Sequence, residues 1–220
     1  MIRRFATGAC FCLMVATPLR AGHVVPGNGP NHYFPHDECS PVEGAGALRQ
    51  GLIDAARNED VEGLAKLAAP DVLLDFGGGE GVAELRRRFS GEGGKALWQE
   101  LRDATGLGCA IGGGFMMMPW FFPQSLGDAD PYDTRLVAAA DVPLLSSPDP
   151  AADVSDYLSW QLVVLDATFD EAKAYQHVRA IGSDKAGFVP TGTLRSQIDY
   201  RVVGQRIEGE WKLVAFVAGD

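Results

Sequence analysis

Three histidines and two acids near the start of the chain are the first residues that could do chemistry: His23, His32 and His36, with Asp37 and Glu38 behind them. His32 and His36 stand four apart, the spacing at which a helix aims two imidazoles at one metal ion. Pro26, Pro30, Pro35 and Pro41 argue against a helix there, so the segment reads as an extended arm and no metal site is assigned. His177 falls on an expected strand with no sequence-near partner that would make it a general base. The run Asp75-Phe76-Gly77-Gly78-Gly79-Glu80-Gly81 has the glycine content of a phosphate loop. It lacks the Lys-Ser/Thr of a P-loop and the spacing of a dinucleotide fingerprint, so it reads as a turn. Within it, Asp75 is a carboxylate that desolvation could turn into a base, although no second catalytic residue accompanies it. No Ser-His-Asp, Cys-His, paired-carboxylate or zinc arrangement is visible by spacing. No catalytic residue and no cofactor are assigned.

Aromatic residues offer a different chemistry. Tyr157, Trp160, Tyr175 and Phe188 could line a groove for an extended peptide or a cell-wall stem. A small β module also needs aromatics in its core, so Phe188 and Tyr157 are assigned to the core and the groove to Trp160 and Tyr175. Met116-Met117-Met118-Pro119-Trp120-Phe121-Phe122-Pro123 is too apolar to be a free linker, and reads as a segment packed between two halves of the molecule.

The elements that must position these residues fall into two textures. In residues 43–106, Leu48, Leu52, Ala55 and Ala56, then Val61, Leu64, Ala65 and Ala68, recur at helical spacing. Asn58 or Asp60 can cap the second helix, and Pro70 should end it. Val72–Phe76 reads as a strand. Val82, Leu85 and Phe89 mark a third helix carrying Arg86-Arg87-Arg88 as a solvated face, and Leu97, Trp98 and Leu101 a fourth that stops at Gly106. Residues 111–131 do not read as strand over their length. Beyond them the texture changes to short strands, Thr134–Ala139, Val142–Leu145, Leu162–Leu165 and Tyr175–Ala180, split by Pro, Asp, Ser and Gly. Ile198–Val203 and Trp211–Val217 flank Glu208-Gly209-Glu210 and form a hairpin signal. The expected fold class is α+β: a helical N-terminal half with one strand, plus a small antiparallel barrel.

The ends and the composition bound the partners. Arg3 and Arg4 precede an uncharged, mostly apolar run to Leu19, and Ala21 offers a cut before Gly22; a cut after Ala16 is the alternative. That layout is a secretory signal peptide, and the run is too short to span a bilayer. Removing it takes away Arg3, Arg4 and Arg20 and no acid, so the net charge goes from −10 to −13. Without a basic face, nucleic-acid partners and anionic membrane surfaces are disfavoured. Cys39 and Cys109 are the two cysteines left in an oxidising compartment, and a disulfide between them is expected.

Two family resemblances add to this. Ser146-Ser147-Pro148, Ala152-Asp153-Val154, Tyr157-Leu158 and the closing Gly182-Ser183-Asp184-Lys185-Ala186-Gly187-Phe188-Val189 resemble the bacterial SH3-like (SH3b-type) domain of cell-envelope proteins, over residues 134–194. Val142-Pro143-Leu144-Leu145 departs from that family, which often carries Asn-Val-Arg there. The helices, the strand led by Ala69-Pro70-Asp71-Val72 and the C-terminal hairpin resemble nuclear transport factor 2-like (cystatin-like cone) proteins, in which a curved antiparallel sheet follows. With the signal peptide (1–21) and arm (22–42) read from the residues, the resemblances imply a helical, cone-like domain (43–126), an SH3-like barrel (127–194) and a hairpin (195–220). The hairpin either returns to the strand of the first domain, leaving the barrel as an insertion, or extends the barrel. The expected function is an exported, periplasmic or secreted, non-enzymatic binding protein recognising an envelope protein or a peptidoglycan fragment. The alternative is a small-molecule enzyme with a cone pocket around Asp75.

Overall fold

A computed structural model of the chain describes residues 32–219. The signal peptide, its cut site and His23 lie outside the described residues.

Helix α1 (Ala45–Asn58) turns Leu48, Leu52, Ala55 and Ala56 inward, as their spacing requires. Asp60 caps α2 (Val61–Leu67) by accepting a hydrogen bond from the Gly63 N–H at 2.9 Å. The chain then passes directly into β1 (Ala68–Leu73), four residues before the expected strand start. Pro70 does not end the helix but lies inside this strand. It is tolerated because β1 is the end strand of its sheet, with β12 as its one partner strand and only a short bridge from Leu73 to Glu80 besides. Helices α3 (Val82–Ser90) and α4 (Gly94–Gly106) follow as expected.

The next segment corrects the sequence reading. Residues 110–118 form a hairpin, β2 (Ala110–Gly112) and β3 (Phe115–Met118), turning through Gly113 and Gly114 at φ 60° and 86°. Methionine carries little strand preference of its own, so the pattern emerges only in the fold, where Met116 and Met118 are fully buried. Seven short strands come next: β4 (Thr134–Val137), β5 (Val142–Leu145), β6 (Val154–Leu158), β7 (Leu162–Leu165), β8 (Tyr175–Ala180), β9 (Ala186–Pro190) and β10 (Leu194–Arg195). The chain ends with β11 (Arg201–Ile207) and β12 (Glu210–Val217), joined through Glu208 and Gly209, both at positive φ. Strand β11 starts later than expected because Ser196–Asp199 makes a turn, with the Ser196 N–H donating to Asp199 Oδ2 at 2.7 Å.

The strands form two sheets. The first has the order β1-β12-β11-β3-β2, with β1 parallel to β12 and every other pair antiparallel. The C-terminal hairpin therefore pairs with β1 and β3, and the chain builds β4–β10 between two neighbouring strands of the first sheet. Leu52, Leu64, Leu85, Phe89, Trp98 and Leu101 from the helices meet Val72, Met116, Met118, Leu213 and Phe216 from the sheet in one core. Trp211 is only partly buried; it packs against this core and lies over Gly44 at the start of α1. Cys39 and Cys109 form a disulfide with Cα atoms 5.7 Å apart, buried in the same core and fastening the arm to the start of β2.

The second sheet is antiparallel throughout, in the order β10-β4-β7-β8-β9-β5-β6. Among the described residues, β10 and β6 do not pair with one another, so hydrogen bonding leaves an open seven-stranded sheet where a closed SH3-like barrel was expected. Its own core gathers Val137, Leu144, Leu158, Val163, Val178 and Val189. Phe121 and Tyr33 form a smaller cluster with Leu136 and Leu162, which seats the segment after β3 against β4 and β7.

Candidate functional site: a charged cleft between helix α4 and the second sheet

A cavity of about 590 Å³ lies between the C-terminal half of α4 and the β4–β10 edge of the second sheet, closed on one side by the turn before β11. Seven charged side chains line it, and four of them, Arg195, Glu100, Arg135 and Asp199, come from β10, α4, β4 and the turn before β11. Arg195 comes from β10, whose two residues pair with Val137 and Leu136 of β4. It is only 8% exposed. Its Nη1 lies 3.3 Å from Glu100 Oε2, and its Nη2 donates to the Tyr200 carbonyl at 2.7 Å. Its Nε is buried and has no hydrogen-bond partner.

Glu100 faces it from α4. Burial pushes its carboxyl above the usual range; nearby Arg195 opposes the shift, and Asp199 and Asp103 add to it. Arg135 on β4 is the third charge. Its Nη1 donates to the Tyr132 and Thr134 carbonyls at 2.9 and 2.8 Å, and its guanidinium sits 5.0 Å over the Phe169 ring. Burial disfavours its charged form, against the pull of Asp199 and Asp133. Asp199, the fourth, is held by the turn that delays β11. Leu107, Leu194 and Ile198 supply apolar wall. Two desolvated charges of opposite sign beside an open cavity are the signature of a binding site more than of a packed core.

The residues singled out in the sequence are placed elsewhere. Trp160 sits at φ 47° in the β6–β7 connection, where its carbonyl accepts from the Tyr33 N–H at 2.9 Å and its ring meets Phe34 edge-on. Tyr175 opens β8 opposite Pro190. Since Val163 pairs with Ala180 and Leu165 with Val178, Trp160 and Tyr175 lie at opposite ends of the β7–β8 pair and are not brought into one groove. Tyr157, expected in the core, is 57% exposed on the end strand β6, because Leu158 takes the inward position. Phe188, also expected in the core, is partly exposed and meets His177 edge-on. The rings of His32 and His36 pack on Tyr33 and Trp120 respectively.

Asp75 is not a desolvated base. It accepts hydrogen bonds from Gly77 N–H at 2.7 Å and Gly79 N–H at 2.9 Å, and is ion-paired with Arg88. The Arg88 hydrogen bond, with the two amides behind it, holds the carboxyl at about 2. A Cβ on Gly79 would collide with Arg88 and Asp75, so this loop is built around the clamp.

Sequence reasoning missed two groupings. His177 has a partner after all: Asp166 Oδ2 lies 2.6 Å from its Nδ1, and Arg179 pairs with the same carboxylate. Antiparallel pairing of Leu162–Leu165 with Tyr175–Ala180 was the signal that could have found it. The cleft charges had no such signal, because Glu100 and Arg195 are 95 residues apart and carry no motif.

No family model matches the chain, and the comparison with curated proteins finds no match either. Among solved structures, it is similar to the chain named Rd1NTF2_05, in a form with five substitutions, at 13% identity and a TM-score of 0.29 over 80% of this chain and 96% of that one. It is likewise similar to an NTF2-like protein with a cystatin-like fold from Novosphingobium aromaticivorans, at 14% identity and a TM-score of 0.30 over 80% and 78% of the two chains. The fold of this chain rests on the strand pairing described above.

Proposed function

We propose that this protein is an exported, non-enzymatic binding protein of the cell envelope whose ligand occupies the cleft between α4 and the second sheet. One observation carries the choice of site: the charged pair Arg195–Glu100, 3.3 Å apart, lines a cavity of about 590 Å³ that Arg135 also lines from β4. Binding is favoured over catalysis by two further features. The helices and the first sheet pack on one continuous buried apolar cluster, and Asp75 is clamped in its ionised form. Export is supported by the signal-peptide pattern and the Cys39–Cys109 disulfide. No helix among the described residues is long and apolar enough to cross a membrane. The partner class is a protein or peptidoglycan component, and the sheet bearing the SH3-like motifs supplies one wall of the site.

Gly192 gives a clean test. It lines the cleft, and a Cβ added there meets open space. Gly192→Trp should fill the cleft without disturbing the fold. The wild-type protein should retain a component of purified cell wall or envelope extract that the variant, melting at an unchanged temperature, does not retain. Equal retention by both would place the ligand elsewhere.

A further inference from the structure

The cleft holds both signs of charge, with Glu171 and Asp199 lining it besides the residues of α4, β4 and β10, and this mixture constrains its ligand. On the α4 side stand Glu100 and Asp103, with Arg195 engaged to Glu100 and to the Tyr200 carbonyl. Arg102 is committed to the Ala56 carbonyl, Gln99 and Glu59. On the β4 side, Arg135 spends only Nη1, on two carbonyls. Its Nε and Nη2 make no hydrogen bond with the described residues, neither is a buried orphan, and Arg135 lines the cleft. Two free N–H groups on one planar guanidinium, its face covered by Phe169, match the two oxygens of a carboxylate. No carboxylate of the described residues lies within ion-pair distance of Arg135 to fill that role.

A simple anion would face Glu100, Asp103 and Asp199, and a simple cation would face Arg135 and Arg195. A neutral apolar ligand would leave desolvated charges unpaired. We infer, resting on the cleft being the binding site, that its ligand is a small dipolar molecule of the amino-acid or short-peptide class, with its carboxylate on Arg135 and its ammonium between Glu100 and Asp103. The cavity is of the size that encloses a ligand of a few residues at most. Glu100 and Asp103, three apart on α4, present two carboxylates to one ammonium, which a single surface acid does not.

Titration calorimetry with the full mature protein tests this with L-alanyl-L-alanine and D-alanyl-D-alanine, each also as its N-acetyl form and its C-terminal amide. At least one free dipeptide should bind, and blocking either end should weaken it about tenfold or more. Arg135→Gln should abolish the preference for the free acid over the amide, and Glu100→Gln the preference for the free amine over the N-acetyl form. These are ratios within one folded variant, so a loss of stability does not mimic them. Equal affinity of free and blocked forms, or no binding of either dipeptide at millimolar concentration, overturns the inference. If Gly192→Trp still abolishes capture from envelope extract in that case, the cleft stands and only the ligand class falls. Dipeptide binding that survives Gly192→Trp would show that the peptide sits elsewhere.

Discussion

Asp75 and Arg88 show how a charge that could have been catalytic is used to shape a loop. Arg88 and two loop amides favour the ionised carboxylate, and Glu84, bridging Arg87 and Arg88, is likewise held at about 2. Both carboxyls lie below their ordinary values of 3.8 and 4.5, so they favour the folded state above that range and stop doing so as pH falls toward 2. Acid titration followed by circular dichroism should show unfolding between about pH 4 and pH 2, and Arg88→Gln should shift it to higher pH. An unchanged acid midpoint would mean the cluster is solvent-screened and does not contribute. The disulfide is the second prediction at this scale. Both cysteines are fully buried and joined, so native protein should resist alkylation at Cys39 and Cys109 until reduced. Two alkylated thiols in unreduced protein would contradict the bond.

Individual elements succeed or fail on whether their pattern is local. Helix α4 shows its buried face in its own sequence, and Trp98 on that face is almost completely enclosed. Trp98→Ala should cost about 3–5 kcal/mol by thermal or chemical denaturation. Trp211 on β12 is also a tryptophan beside the same core, but it is only partly buried against Gly44. Trp211→Ala should cost less, about 2 kcal/mol, since less apolar surface returns to water. A loss at Trp211 equal to that at Trp98 would show that β12 depends on its tryptophan more than burial indicates. Strand β1 teaches the opposite lesson: Pro70 reads as a stop, and only its place at the sheet edge makes it harmless.

At the scale of the molecule, the first sheet is assembled from distant parts of the chain. Strands β11 and β12 stand between β1 and β3, so residues 43–126 alone would leave both strands without their central neighbours and open the core at Val202, Leu213 and Phe216. That fragment should be insoluble or non-cooperative in melting. A soluble fragment with a sharp transition would mean that the hairpin is dispensable. Export makes a separate claim: protein purified from its native host should begin near Gly22 by mass spectrometry, and an intact Met1 would refute it.

Residue order alone placed β5, β7 and β8 to the residue, because each is a strand-length run bounded by turn formers, and placed α1 and α4 by their 3.6-residue spacing. Parity and compartment pointed to Cys39 and Cys109 as partners without any geometry. Those are properties of a local window or of a count. The open second sheet, the parallel pairing of β1 with β12 and the separation of Trp160 from Tyr175 depend on register between strands far apart in the chain. The cleft depends on it most. Arg135, Arg195, Glu100 and Asp199 look in sequence like any solvated charges. They come to line one cavity because β10 pairs with β4 at the sheet edge facing α4, where burial shifts Glu100 and Arg135 from their ordinary titration.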